Sequence, residues 1–271
     1  MKKATQLLSL AFLLSAGAII TACSSDDNGI DEALAKKTYY VSIDASKGST
    51  VDASRATRAL SFDGTTITAT WSTKDKIYVK YSNTWLEGSL SPNANAVGAR
   101  LTGTITTSDL GDLNSLTLLY PKISWSYDGQ KGTLADIAKN YDYAMAKDVD
   151  VTVSGSTITG TKIVEFDNLQ AIVQFTLKSG ETFLSPSALT VTIKKYDSTG
   201  DYVVSLTSIP STTYDTNGDG ILYVAIPGFE SKIVELSATV GGATYTYSTK
   251  TDITFENGNY YPVTVKMTKK P

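Results

Sequence analysis

In AIVQFTL, residues 171–177, apolar and polar side chains alternate from Val173 onward. Val173, Phe175 and Leu177 fall on one face of an extended chain, and the polar side chains between them fall on the other. A period of two in a segment rich in β-branched and aromatic residues predicts a half-buried β-strand. The rest of the chain repeats this pattern, so this segment decides the fold class.

Short segments of the same kind follow one another along the chain, separated by turn residues. Predicted strands lie at residues 38–43, 67–71, 77–81, 85–90, 101–105, 116–120, 149–153, 157–166, 189–193, 202–206, 221–226, 233–240, 244–248 and 260–267. The only helix predicted after the N-terminal region is short, at residues 134–140. Many short strands favour β-sandwiches over a parallel α/β sheet, so the predicted fold class is all-β.

Domain organisation follows from where the strand series restarts. A second series begins near Phe166, which predicts an N-terminal β-sandwich domain at residues 59–165 and a C-terminal one at residues 166–271. Residues 45–58 lose nearly all large apolar side chains, which predicts a loop. Ser154 and Gly155 predict a hairpin turn between two strands.

The N-terminus carries an export signal. Lys2 and Lys3 precede an apolar run, and residues 1–22 end in Ile20-Thr21-Ala22 directly before Cys23, the only cysteine. This order is typical of a secretory signal peptide, and a small residue before a lone cysteine is typical of a bacterial lipoprotein. We therefore predict cleavage before Cys23, acylation of Cys23, and an outer-membrane lipoprotein; a secreted protein with a chance cysteine is the alternative.

Composition excludes several classes of function. The chain has no histidine, which rules out Ser-His-Asp catalysis and histidine-based metal sites. A formal net charge of −3, evenly spread, gives no nucleic-acid-binding pattern. With Cys23 acylated no thiol remains for a disulfide, so the exported protein must depend on its hydrophobic cores.

Three further patterns have ordinary structural explanations. Residues 215–220 (DTNGDG) resemble the start of a calcium loop, but Ile226 occupies the twelfth position, where a bidentate acid is required. A hairpin turn explains that segment better. Trp71, Trp85 and Trp125 could form a sugar-binding platform or belong to the core. Seven scattered carboxylates could include a glycosidase pair but have no motif around them, so no enzyme activity, metal or cofactor is predicted.

Two of the three arginines, Arg55 and Arg58, lie in one loop of small residues. Exposed loops of small polar residues are where proteases cut, whereas Arg100 lies in or beside a predicted strand and should be protected. An ordinary polar linker is the alternative. The preceding strand, residues 38–43, places Tyr39, Val41 and Ile43 on one face, which could fill apolar pockets while its backbone pairs with a sheet edge.

Five stretches together resemble the fimbrillin family, the subunits of type V pili in anaerobic Gram-negative bacteria. They are residues 71–79 (WSTKDKIYV), 118–121 (LLYP), 142–146 (DYAMA), 164–175 (VEFDNLQAIVQF) and 255–265 (FENGNYYPVTV). Asn168 stands where many relatives have histidine. The order and spacing of the five stretches behind a lipoprotein signal carry the resemblance.

The resemblance implies two transthyretin-like β-sandwich domains and assembly by donor-strand exchange for adhesion. It implies that an Arg-specific protease cuts after Arg58, with Arg55 as a second cleavage residue, so that residues 23–58 are a tether and cleavable pro-segment. The implied partners are other pilus subunits, with final placement in a cell-surface fimbrium. A surface glycan-binding lipoprotein and an uncleaved pilus anchor subunit remain as alternatives, and the shaft, tip or anchor role is open.

Overall fold

The computed structural model describes residues 36–47, 61–62, 67–108, 112–121, 123–194, 200–209 and 220–271. In the first half of the chain the elements are β1 Lys37–Ser46, β2 Ser61–Phe62, β3 Ile67–Thr68, β4 Tyr78–Tyr81, β5 Thr84–Trp85, β6 Glu87–Pro92, β7 Gly98–Thr107, β8 Ser115–Tyr120, α1 Leu134–Asn140, β9 Ala144–Ser154, β10 Thr157–Gly160, β11 Val164–Glu165 and β12 Asp167–Asn168. In the second half they are β13 Ala171–Ser179, β14 Thr182–Phe183, β15 Ala188–Ile193, β16 Tyr202–Leu206, β17 Ile221–Ile226, β18 Phe229–Lys232, β19 Val234–Val240, β20 Ala243–Ser248, β21 Ile253–Phe255, β22 Tyr260–Lys266 and β23 Thr268–Lys269.

A ten-stranded sheet organises the first half of the chain. Its strands run in the order β5-β4-β8-β9-β10-β1-β7-β6, with β11 beside β1 and β12 beside β9. The two ends of this order meet, because the amides of Ile77 and Leu90 donate to each other's carbonyl oxygens at 2.9 and 2.8 Å. The sheet therefore folds back on itself and encloses a core.

Two smaller sheets organise the second half. One contains β13 between β17 and β22, with β14 at its end, and the other has the order β16-β15-β19-β20-β23. The last strands pass from one sheet to the other, since β22 runs parallel to β13 and β23 pairs with β20. A separate pair, β18 and β21, is held by antiparallel bonds.

The described residues form two hydrophobic cores. The first core lies inside the ten-stranded sheet and includes Tyr39, Val41, Ile43, Trp71, Leu101, Ile105, Leu118, Ile158 and Phe166. The second core lies between the two later sheets and includes Tyr127, Ile137, Tyr143, Val173, Phe175, Val191, Leu222 and Leu236. The all-β prediction is confirmed. The domain boundaries stay a prediction, and the segment around Tyr127 and Tyr143 packs in the second core although it precedes Phe166.

Several predicted elements match the structure closely. The helix spans Leu134–Asn140, as predicted, and begins where the Thr133 hydroxyl accepts a hydrogen bond from the Asp136 amide at 3.1 Å. Strands β16 and β17 also have the predicted bounds. The strand predicted at residues 157–166 is wrong in its length, because it is broken into β10 and β11.

Gln130 lies beside the second core and pairs with the edge of β17 in the place of a neighbouring strand. Its side-chain amide accepts a hydrogen bond from the Ala225 amide at 2.8 Å and donates to the Ala225 carbonyl at 2.6 Å. Its backbone carbonyl accepts a bond from Thr207 beside β16. The fully buried side chain thus satisfies an edge of β17 that would otherwise need another strand.

Candidate interaction site around the N-terminal strand

Strand β1 lies in the interior of the first sheet and is paired on both sides. All ten of its residues are in antiparallel register with β7, from Lys37 opposite Thr107 to Ser46 opposite Gly98. On its other side, residues 40–42 run parallel to β10 and residues 45–46 run parallel to β11. The position between two strands means that β1 contributes backbone hydrogen bonds to both neighbours.

The inward face of β1 is part of the first core. Val41 and Ile43 are 0% and 1% exposed, and Tyr39 and Ala45 are also buried. Burying a side chain the size of valine or isoleucine contributes about 1.5–3 kcal/mol. The alternation of residues 38–43 correctly predicts which side chains of this strand face inward.

The neighbouring strand β10 leaves space for one of these side chains. Ile43 lies against Gly160 of β10, and a Cβ built on Gly160 would be 3.2 Å from the Ile43 Cγ2. A larger residue at 160 would have to displace this branched side chain. The absence of a side chain at Gly160 therefore forms a notch for Ile43 in the neighbouring strand.

The outward face of β1 is polar and bound to β7. Arg100 donates from Nε and Nη2 to the two carboxylate oxygens of Asp44 at 2.8 and 3.1 Å. These hydrogen bonds hold the pKa of the Asp44 carboxyl below its usual value. Because the pKa is lowered, the pair stabilises docking of β1 near neutral pH, and this contribution is lost as the pH falls through the lowered value. Both side chains are half exposed, so the effect is small.

Two features of β1 differ from the sequence prediction. The loop predicted at residues 45–58 is wrong at its start, because the strand continues to Ser46 with Ala45 buried. A small inward side chain fits the core without adding to the apolar pattern that marks a strand. The predicted pairing with a single edge is also incomplete, since β7 and β10 flank the strand.

The position of β1 in the chain matters because the strand precedes the two candidate cleavage residues. Residues 48–60, which include Arg55 and Arg58, are the covalent link between this strand and the strands that follow it in the chain. Arg55, Arg58 and the predicted lipid attachment residue Cys23 lie outside the described residues. Arg100 lies in β7, as expected for a protected arginine. No helix in the part of the chain that the structure describes could span a membrane.

Sequence reasoning missed Lys47, which follows β1. Its side chain is 2% exposed and lies 3.5 Å from the Asp75 carboxylate, with the Nζ over the Trp71 ring. The only signal was its place in the alternation, since residue 47 continues the inward positions 39, 41, 43 and 45. A lysine at the end of a strand is ordinarily solvated, so that signal was weak.

The other candidate residues from the sequence are not brought together into one site. Trp71 is buried in the first core, in edge contact with Tyr120 and Phe166, and is unavailable to a sugar-binding platform. Trp125 is 44% exposed and packs beside Tyr143. The calcium alternative at residues 215–220 falls mostly outside the described residues. Among the described ranges, no group of three or more acidic, cysteine or histidine side chains could hold a metal.

Comparison with known proteins gives distant structural similarities. No family model and no curated protein matches the chain. A candidate cell adhesion protein from Bacteroides ovatus is 14% identical, with a TM-score of 0.46, covering 87% of this chain and 96% of the other. One from Bacteroides fragilis is 16% identical, with a TM-score of 0.45, covering 85% and 97%. The tip fimbrial protein Mfa3 from Porphyromonas gingivalis, with a C-terminal truncation, is 10% identical, with a TM-score of 0.39, covering 85% and 95%. At this level of similarity, the topology around β1 remains the basis for a functional argument.

Proposed function

We propose that this chain is a structural, non-enzymatic subunit of a type V pilus that assembles by donor-strand exchange for adhesion. In this proposal it is exported as an outer-membrane lipoprotein, cut after Arg58, and incorporated into a cell-surface fimbrium. The observation that carries the proposal is the interior position of β1, which lies upstream of Arg55 and Arg58 yet fills the middle of the first sheet.

The topology gives strand exchange a physical basis. Removing β1 would leave unpaired edges on β7 and β10 and uncover the first core around Ile158 and Leu101. Adjacent strands are about 4.8 Å apart, so the gap would accommodate one extended strand. A strand from another subunit would restore both rows of hydrogen bonds and the apolar contacts. Such a contact is head-to-tail and does not close, so it builds a filament.

Cleavage would make β1 replaceable rather than remove it. While the chain is intact, the tether of residues 48–60 holds β1 at an effective concentration in the millimolar range, which resists exchange. After a cut following Arg58, no covalent link joins β1 to the strands that follow, and the contacts described for it are those with β7, β10, β11 and the first core. An uncleaved anchor subunit is the second candidate, favoured by the ten-residue pairing of β1 with β7, which would hold the strand permanently without a cut.

The proposed function is tested by exchange of a labelled peptide. Purified protein lacking its lipid is treated with an Arg-specific protease, which we expect to expose Ala59 as the new N-terminus while Arg100 stays uncut in β7. A fluorescent peptide of residues 36–47 should then replace the resident strand in the cut protein and not in the intact one. Measurement is by fluorescence anisotropy after incubation with the peptide.

The matched control is the Arg55→Lys/Arg58→Lys chain, which keeps the loop charge but gives the protease no arginine there. It should bind no peptide after the same protease treatment. If the cut and uncut proteins take up the peptide equally, exchange does not depend on cleavage, and the uncleaved anchor subunit becomes the better supported function.

The lipid anchor gives a separate prediction. Replacing the sole cysteine, in Cys23→Ala, should abolish acylation and move the protein out of the membrane fraction, because two or three acyl chains are needed for stable anchoring. Labelling of cells with a fatty-acid probe measures this directly. Equal labelling of the variant and the unmodified protein would contradict the proposed anchor, whereas pilus assembly is tested independently.

A further inference from the structure

Lys47 is enclosed by the first core although lysine is rarely buried without a partner. Its side chain is 2% exposed, and its Nζ donates to the carbonyl oxygen of Thr70. The Nζ lies 3.5 Å from Asp75 Oδ2 and 4.3 Å from the centre of the Trp71 ring, with the Tyr120 ring centre at 5.8 Å. We call Thr70, Trp71, Asp75 and Tyr120 the ammonium cage.

The cage is organised by contacts of its own. The Asp75 carboxylate accepts hydrogen bonds from the Ser72 amide and the Tyr120 hydroxyl, both at 2.9 Å. The Trp71 ring meets the Tyr120 ring edge-on, with ring centres 5.9 Å apart. The backbone amide of Trp71 donates a hydrogen bond to the Ala96 carbonyl oxygen. A carboxylate and two aromatic rings held in this way form a binding site for a cation.

The cation and its cage come from opposite sides of the predicted cut. Lys47 follows β1 and precedes Arg58, whereas every member of the cage follows Arg58 in the chain. In the proposed function, the strand that replaces β1 therefore also has to fill the cage. An Asp75 carboxylate only 14% exposed, left without a cation, would oppose any strand that placed an apolar residue there.

We propose that the ammonium cage is a specificity-determining subsite that selects and aligns the incoming strand, an inference that rests on the proposed donor-strand exchange. Its occupant is an extended strand of another subunit that carries Lys or Arg at the position corresponding to Lys47. The inward positions before it follow the pattern of β1, with an aromatic residue at 39 and aliphatic residues at 41 and 43. Positions 39 and 47 are eight residues apart, about 27 Å along a strand.

The cage distinguishes between strand registers that the apolar face of the strand distinguishes only weakly. A slip of one residue would turn every inward side chain outward, so it is strongly disfavoured. A slip of two residues keeps an apolar residue facing inward at most positions, and the core alone discriminates weakly against it. It would, however, move the cation by about 7 Å, out of the cage. A buried charge that fixes register is the best supported role for such groups.

Four labelled peptides of residues 36–47 test this subsite on protein cut after Arg58. The Lys47→Met peptide keeps the length of the side chain without its charge and should bind at least about 30-fold more weakly than the unmodified peptide. The affinity of the Lys47→Arg peptide should be within about tenfold of that of the unmodified peptide, since the guanidinium also fits a carboxylate and aromatic faces. The Ala45→Lys/Lys47→Ala peptide moves the cation two residues and should be as weak as Lys47→Met. Because the changes are in the peptide, folding of the protein is unaffected.

The control is the Lys37→Met peptide, which carries the same substitution at the exposed start of β1 and should bind within about threefold of the unmodified peptide. In a protein carrying Asp75→Asn, the preference for the Lys47 peptide over Lys47→Met should fall to within about threefold, which a purely steric role of the side chain would not produce. Equal binding of the Lys47 and Lys47→Met peptides to the unmodified protein overturns the subsite while leaving strand exchange intact. Failure of every peptide to exchange overturns the proposed function, and the claim about an incoming strand with it.

Discussion

Val41→Asp is expected to remove β1 from the first sheet, lowering the free energy of unfolding of that part of the protein by at least about 5 kcal/mol. Val41 is fully buried between the strands β7 and β10 and faces the first core. The substitution loses the transfer free energy of the valine side chain and places a carboxylate where no water can solvate it. Because domains have a total stability of about 5–15 kcal/mol, the loss is large.

The matched control is the same substitution on the adjacent residue. Tyr40 lies on the opposite face of β1 and is 48% exposed, so Tyr40→Asp should cost less than about 1.5 kcal/mol, mainly through the poor strand propensity of aspartate. Urea unfolding is followed by tryptophan fluorescence in a background that carries Trp85→Phe and Trp125→Phe, so that the emission comes from the buried Trp71 of the first core. Hydrogen exchange of the β1 and β7 amides reports whether the strand has left the sheet. Equal stability of the two variants would show that β1 does not cover the core as described.

Alternation along the chain was enough to predict the strand and its inward face. In residues 38–43, every second side chain is apolar, and an extended backbone puts those side chains on one side whatever they pack against. The bounds of β16 and β17 follow from a different local signal, a short run of apolar, β-branched and aromatic residues. Position within the sheet could not be predicted, because Tyr40 pairs with Thr157 far along the chain and only the folded backbone brings them together.

Two buried polar residues show where local patterns lose information. Lys47 and Gln130 are residue types that are ordinarily solvated, and the residues beside each of them in sequence are polar or small. Their partners, Asp75 for Lys47 and Ala225 for Gln130, are distant in sequence. A buried polar residue is recognisable only when the groups that satisfy its hydrogen bonds are in place.

The Arg55→Ala/Arg58→Ala variant is expected to fold, remain on the membrane and fail to enter filaments. Both arginines follow β1 and precede every other strand of the first sheet, so their removal eliminates the proposed cut between the resident strand and its groove. Folding should be preserved because β1 and all of its described contacts are unchanged. The intact tether then keeps β1 in the groove and the predicted lipid on Cys23 keeps the chain on the membrane.

The size of this effect follows from the competition between a tethered and a free strand. With β1 tethered at an effective concentration in the millimolar range, a donor strand of equal affinity at micromolar concentration would occupy about one groove in a thousand. After the cut, the resident strand can dissociate and dilute away, so the donor strand competes without that disadvantage. Filament entry should therefore fall by about a thousandfold in the double variant, and Arg58→Ala alone should leave Arg55 as a fallback cut.

Filament entry is measured as the amount of high-molecular-weight assembly recovered from the cell surface, separated on denaturing gels under mild conditions. N-terminal sequencing of the recovered chain identifies the cut. An Arg100→Ala variant serves as the control, because it removes the third arginine, in β7, without touching the loop, and should still yield filaments that begin at Ala59. Wild-type levels of assembly by the Arg55→Ala/Arg58→Ala chain would mean that β1 does not have to be released. The interior strand would then be a permanent part of the first sheet, and an uncleaved anchor would be the better account of the same topology.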